Sequence, residues 1–234
     1  FLFFWQDDIF MLPDVNRPGN INDKFFKLYR TSSAAFPFGW RAHPTIKPRG
    51  VSALNNDKVI FRQNGVWRLL VSDNIDGGRL LMYSSRDLTY WEEHAENPIL
   101  RRGVFERVLN KIFPRRVIPY KPWRLGGTPV LNNGQIIIPL QHEHMNRVYG
   151  ECVSYLELGF ENDSNLSPKL SQSPILKPIK SQKWRSVGSH HISFAIHDDT
   201  TIACCDGFDG ETWSVGLFTS NERAISNKQN STKF

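Results

Sequence analysis

Six side chains able to carry charge, bind hydroxyls or move protons are spread through a chain otherwise built of short apolar runs: Asp14, Asp57, Arg124, Gln141, His190 and Asp206. They fall where the inner strands of successive β-sheets are expected. Two carboxylates facing each other across a pocket are what glycoside chemistry requires. One attacks or activates water while the other protonates the leaving oxygen. An arginine and a histidine beside them would tune their pKa values and hold sugar hydroxyls. Taken singly, each of the six reads as a turn or strand-end hydrogen bond; the chemical reading rests on taking them together. Asp14 and Asp57 are the candidates for acid and base roles, and Arg124, Gln141, His190 and Asp206 for substrate binding. No Gly-rich phosphate loop, CxxC pair or HExxH helix is present. His142, Glu143 and His144 are metal-ligand types, but neighbouring side chains on a strand diverge and a loop fixes none of them. No metal and no cofactor are expected.

The elements that would position these residues recur. Arg79–Leu100 reads as two antiparallel strands around a Ser/Asp turn, with Tyr83 in the first, Trp91 at the second and Asn97-Pro98 closing the phrase. Lys27–Ile46 repeats it, with Tyr29 and Trp40 lying 54 and 51 residues before Tyr83 and Trp91. A looser copy runs from Val153 to Leu176. Each copy follows a turn and an apolar strand, and the turn residues Asp8, Gly65, Gly134 and Asp199 are 57, 69 and 65 residues apart. Asn64-Gly65 is a strong signal for a two-residue type I′ hairpin. Short strands repeating at this period specify propeller blades, because a lone four-stranded sheet cannot cover both of its faces. The expected fold is therefore all-β, a five-bladed β-propeller of which this chain holds about four blades. Residues 1–222 form the propeller, with Phe1–Trp5 as a strand of a truncated blade, and 223–234 form a polar tail.

Residues 101–124 break the pattern. Val104, Phe105, Val108, Leu109, Ile112 and Phe113 recur at helical spacing and predict a short amphipathic helix over Gly103–Phe113. Basic residues dominate from Arg101 to Arg124, either as a solvated face or as an anion-binding rim. The chain has 234 residues, 40% of them hydrophobic and 12% aromatic, enough for one large globular β-domain. The net charge of +6 is modest and identifies no partner by itself; no nucleic-acid partner and no membrane segment are expected, and the domain is expected to be monomeric. Three cysteines make no disulfide framework and read as small buried hydrophobes. Asn162, Asn165 and Asn230 head glycosylation triplets, a weak sign of a secretory lumen.

A further set of short motifs, in order, resembles a known family. They are Met11-Leu12-Pro13-Asp14, Lys27-Leu28-Tyr29-Arg30 with Phe36-Pro37 and Trp40, Asp57 ahead of Trp67, and Trp91 with Asn97-Pro98. They continue with Arg124-Leu125-Gly126-Gly127, Gln141 with Tyr149-Gly150, Gly188-Ser189-His190-His191 and Cys205-Asp206-Gly207. The sequence resembles the amino-terminal propeller domain of plant glucosamine inositolphosphorylceramide transferases, itself similar to the five-bladed propellers of glycoside hydrolase family 43. The resemblance implies a carbohydrate-active module that recognises or processes a glycan or glycolipid head group within a glycosyltransferase-like protein of the secretory pathway or Golgi lumen. It adds Tyr149 to the substrate-binding candidates. The chain departs from the family in carrying Asp14 where Glu is usual and His142 where an acidic residue is usual. A family 43-type hydrolase and a non-catalytic interaction propeller are the alternatives.

Overall fold

Two-residue hairpins set the architecture. The computed structural model describes residues 1–13, 26–46, 57–73, 79–101, 124–132, 134–142, 150–161, 165–171, 173–197 and 200–220. Strand β1 (Leu2–Trp5) turns into β2 (Asp8–Met11), and β5 (Lys58–Gln63) turns into β6 (Val66–Asp73). Strand β11 (Val130–Asn132) turns into β12 (Gln135–His142), and β15 (Ile192–His197) into β16 (Thr200–Phe208). The closing pairs Trp5↔Asp8, Gln63↔Val66, Asn132↔Gln135 and His197↔Thr200 leave two residues between strands each time. Asn64 and Gly65 have φ of 49° and 80°, the paired positive values of a type I′ turn, whose twist matches the strands it joins.

Each hairpin opens an antiparallel sheet. Sheet one continues with β3 (Leu28–Ser32) and β4 (Arg41–His43), in the order β1-β2-β3-β4. Sheet two continues with β7 (Arg79–Ser85), which pairs at one end with β8 (Glu92–Glu93) and at the other with β9 (Leu100–Arg101). In sheet three β10 (Arg124–Leu125) and β11 both pair with β12, followed by β13 (Cys152–Phe160) and β14 (Leu166–Leu170). Sheet four is β15-β16-β17, with β17 spanning Trp213–Ser220. The recurring tryptophans have a shared job. The Trp40 indole N–H donates to Pro37 O at 2.8 Å, and that of Trp91 to Leu88 O at 2.9 Å, each bracing the loop three residues behind it.

The alternation of side chains explains why the sheets stack face to face. In sheet two, Ile60, Leu69, Val71, Leu81 and Tyr83 pack toward Phe10, Leu12 and Leu28 of sheet one. Their neighbours Val59, Phe61, Leu70, Leu80 and Met82 pack toward Leu125, Ile138, Leu140 and Leu156 of sheet three. The period of two along a strand thus divides one apolar run between two cores. A smaller core of Val153, Leu176 and Cys205 joins sheets three and four, with Trp184 and Ile192 against it. The four sheets form four propeller blades.

Strand β1 lies at one edge of sheet one, where Phe3 meets Trp67 of sheet two in a tilted ring contact and Trp5 meets it edge-on, at centroid distances of 5.2 and 5.3 Å. The opposite face of β1 leaves Leu2 and Phe4 exposed, and at the far end of the stack Val215 and Leu217 of β17 are exposed. The expected helix over Gly103–Phe113 and the tail 223–234 lie outside the described residues. Cys152 and Cys205 are buried, Cys204 is half-buried, and all three are free thiols. Burial pushes the Cys152 thiol up to about 12, with the nearby Glu151 charge adding to the rise, so it is inert packing.

Two substitutions test this stacking. A Cβ on Gly127 would lie 1.7 Å from the Ile192 carbonyl oxygen of sheet four, so Gly127→Ala must push two sheets apart. Met82→Ala opens a cavity between sheets two and three. Urea unfolding is expected to show a loss of about 2–5 kcal/mol for Met82→Ala and at least about 2 kcal/mol for Gly127→Ala.

Candidate functional site

The candidate residues sit where the inner strands begin. Asp57 stands just before β5, Arg124 opens β10, and His190 precedes β15. Their partners on the second strands end at the same level. The Ser72 N–H donates to Asp57 O at 3.0 Å, Arg124 is paired with Gln141, and the Asp206 N–H donates to His191 O at 3.3 Å. Stacking sheets in register brings these ends together around a cavity of about 620 Å³, whose walls include Asp57, Lys58, Arg124, Gln141, His190 and Ser193. Phe1, Leu2, Leu12 and Pro13 of sheet one close its apolar side. Of the sequence candidates, Asp57, Arg124, Gln141 and His190 therefore share one cavity. Asp206 lies behind its wall, and Asp14 and Tyr149 lie outside the described residues.

Arg124 and Asp57 join sheet three to sheet two. Arg124 Nε donates to Asp57 Oδ2 at 2.6 Å and Nη2 to Oδ1 at 2.9 Å, a bidentate fork between side chains 29% and 19% exposed. The Leu125 N–H donates to Ser72 Oγ at 2.8 Å across the same junction, and Gln141 Nε2 donates to Leu125 O at 3.1 Å. Sheet three is held to sheet four by backbone: the Ile192 N–H donates to Gly126 O at 2.8 Å. Gly126 admits this approach, since a Cβ there would lie 2.9 Å from His190 O and 2.8 Å from Gln141 N.

Asp206 is fully engaged. Its Oδ1 accepts the backbone N–H groups of His190 at 2.8 Å and His191 at 2.9 Å, and its Oδ2 faces His190 Nδ1. Burial alone would raise its pKa. The hydrogen bonds from the His190 ring and the His191 N–H, with the charge of His190, outweigh burial and hold Asp206 below the usual carboxylate range. The His190 ring is clamped on two further sides. Gly150, with φ of +65°, approaches so closely that a Cβ there would lie 2.5 Å from His190 Cβ, and the Trp213 ring stands 4.5 Å away, itself stacked on Phe208 at 4.8 Å.

The sequence reading missed Lys58, Thr128 and Ser193 in the cavity wall and Trp213 behind His190. Ser193 was accessible in principle, since it lies two residues after His191 and so shares its side of the strand. Trp213 reaches the site only through the pairing of β16 with β17, where Phe208 meets Trp213, and no local spacing announces that. Among the described residues no cluster of His, Cys, Asp and Glu is placed to hold a metal ion, and no helix is long and apolar enough to cross a membrane.

Comparison with known proteins agrees with the fold. No protein-family model matches the chain. A glucosamine inositolphosphorylceramide transferase of Arabidopsis thaliana is 30% identical over 105 residues, which cover 42% of this chain and 12% of that protein. One from Oryza sativa subsp. indica is 28% identical over 107 residues, covering 43% of this chain and 13% of that protein. The match thus spans about an eighth of the length of these relatives. Among solved structures, a Bombyx mori GH32 β-fructofuranosidase superposes with a TM-score of 0.57 at 14% identity, covering 90% of this chain and 43% of that one. A β-1,2-mannobiose phosphorylase from Listeria innocua gives 0.57 at 14%, over 92% and 56%. A Penicillium chrysogenum α-L-arabinanase complexed with arabinobiose gives 0.53 at 15%, over 94% and 61%. The chain shares its propeller fold with these carbohydrate-active enzymes.

The depressed pKa of Asp206 fixes the sign of a stability effect. A carboxylate whose folded pKa lies below its unfolded value of 3.8 stabilises the fold fully above that value, and the contribution is lost as pH falls through the folded pKa. Asp206→Asn is expected to cost about 1–3 kcal/mol at pH 7, the scale of a hydrogen bond to a charged group. The gap between wild type and variant should narrow as pH drops below 3.8, measured by urea unfolding at a series of pH values.

Proposed function

We propose that the chain is a carbohydrate-binding propeller unit, acting as a monomer, whose ligand is a glycan or glycolipid head group seated at the mouth formed by sheets two, three and four. The observation that carries this reading is the Arg124–Asp57 fork in the cavity wall, flanked by Gln141 and His190. A guanidinium and a carboxylate that neutralise each other present donors and acceptors without a net charge, a surface suited to the hydroxyls of a sugar. The partial similarity to the plant transferases and the fold shared with glycoside hydrolases and a phosphorylase support the same class of ligand.

Binding is favoured over hydrolysis by what the carboxylates already do. Hydrolysis needs two carboxyl groups facing the scissile bond, about 5–5.5 Å apart for retention and about 6.5–9.5 Å for inversion. Asp57 gives both oxygens to Arg124, and Asp206 gives both to His190 and His191. Neither is free to deliver a proton to a leaving oxygen without dismantling the mouth. A hydrolase would have to draw its second carboxylate from elsewhere, with Asp14 as the sequence candidate.

Calorimetry of the 234-residue chain against oligosaccharides and inositol phosphates tests the proposal. Binding by at least one member is expected, weakened about tenfold or more in Arg124→Ala, which is about 1.4 kcal/mol. Absence of binding across the panel would overturn it. Release of nitrophenol from aryl glycosides that disappears in Asp57→Asn would replace it with the hydrolase reading.

A further inference from the structure

Residues 41–46 tie sheet one to sheet two away from the cavity. The Ile46 N–H donates to Thr89 O at 2.7 Å and the Trp91 N–H to Ile46 O at 3.3 Å, a bridge that carries Ile46 alongside Tyr90. Three residues earlier, His43 ends β4, pairs with Leu28 and reaches the same loop, its Nε2 lying 3.4 Å from Thr89 Oγ1. The ring stands edge-on to Phe10 at 5.3 Å. Its other nitrogen, Nδ1, is buried and has no hydrogen-bond partner among the described residues.

A neutral imidazole suits this place and an imidazolium does not. With a single proton on Nε2 the ring donates to Thr89 Oγ1, whose own hydroxyl donates to Asp87 O at 3.5 Å. Nδ1 is then a bare acceptor. An imidazolium carries a proton on both nitrogens, so Nδ1–H would become a buried, charged donor with nothing to receive it. The charges around the ring come from three elements: Arg30 on β3, Asp8 on β2 and Asp87 in the loop after β7. Burial and then Arg30 disfavour the charged ring, and together they outweigh the two carboxylates and hold the His43 pKa below 6.5. Asp8 is itself paired with Arg30 at 3.4 Å.

Strand β4 is the element able to respond. It has three residues, lies at the edge of sheet one and leaves Arg41 and Ala42 exposed. Such a strand opens at less cost than the core beneath it. We propose that residues 41–46 are a pH-sensitive strap, docked on sheet two while the His43 ring is neutral and released when the ring takes a second proton. An undocked ring in water has the ordinary value of 6.5 and binds that proton more readily than the docked one. Docking is therefore fully favoured above 6.5 and weakens as pH falls toward the docked value. Burial would raise the Asp87 pKa, but the N–H groups of Tyr90 and Thr89 and the Ser85 hydroxyl hold it below 3.8, so this neighbour keeps its charge while His43 titrates. The strap does not depend on the carbohydrate-binding reading.

Amide hydrogen exchange of the 234-residue chain, corrected for the intrinsic effect of pH, tests it at about pH 7.5 and about pH 5. In wild type, protection of the Ile46 and Trp91 amides is expected to fall about threefold or more between the two, relative to the core amides of Leu69 and Leu156. His43→Phe keeps an aromatic ring against Phe10 without a titrating proton, and His43→Gln keeps a polar side chain; in whichever of them folds, that fall should vanish. Proton spectra of wild type should show the His43 ring titrating below 6.5. A midpoint at or above that value, equal protection at both pH values in wild type, or the same fall in the variants would overturn the proposal. A fall shared equally by Leu69 and Leu156 would also overturn it, since that is global loosening and not release of a strap.

Discussion

A sheet that is apolar on both faces has to be covered twice, and the rest of this structure follows from that constraint. Residues Trp67 to Ser72 are buried without a break, as are Leu80 to Tyr83. Consecutive side chains on a strand point in opposite directions, so such a run cannot sit at the surface of a sandwich with one wet face. It needs a sheet on either side. Sheet two meets that need by splitting its odd and even positions between two cores. Sheets arranged so that each covers the next fan around an axis, because their strands twist.

The same arrangement produces the site. Fanned sheets place their inner strands side by side, and those strands start at one level. Backbone groups at strand starts have no ladder partner there, so the chain supplies polar contacts between sheets instead. Ser72 takes the Leu125 N–H, Gly126 O takes the Ile192 N–H, and Arg124 grips Asp57. The mouth is thus polar for a structural reason before any ligand is considered. Asp57, Arg124, Gln141 and His190 at this junction also face open volume.

This explains what the sequence could reveal. Turn chemistry is local, so Asn64-Gly65 could be read directly, and its positive φ values agree. The spacing of Trp40 and Trp91 was legible because each braces its own loop within three residues. The charged residues at inner strand starts stood out because polar residues interrupt apolar runs there. Roles that depend on what lies opposite were hidden. The anchoring of Phe3 and Trp5 on Trp67 was hidden because Trp67 is some sixty residues away along the chain. The partners of Asp206 were hidden because they are two backbone N–H groups and a ring nitrogen, none of which has a sequence signature.

A fold specified by alternation and two-residue turns asks little of residue identity, since cores tolerate substitution when pattern and volume are kept. Propellers with very different sequences can therefore superpose, and likeness of fold carries little information about chemistry. The information sits at the mouth, where positions are fixed by the stacking but side chains are not. At and just behind it, the two described candidate carboxylates have internal partners. Asp57 is held by a cation from the next sheet, and Asp206 by the loop it organises. A carboxylate already held by protein donors is fixed in place and poorly arranged to move a proton onto a leaving group. The distinction between binding and cleavage in this scaffold thus reduces to whether a carboxylate at a strand start faces the cavity or faces its neighbouring sheet.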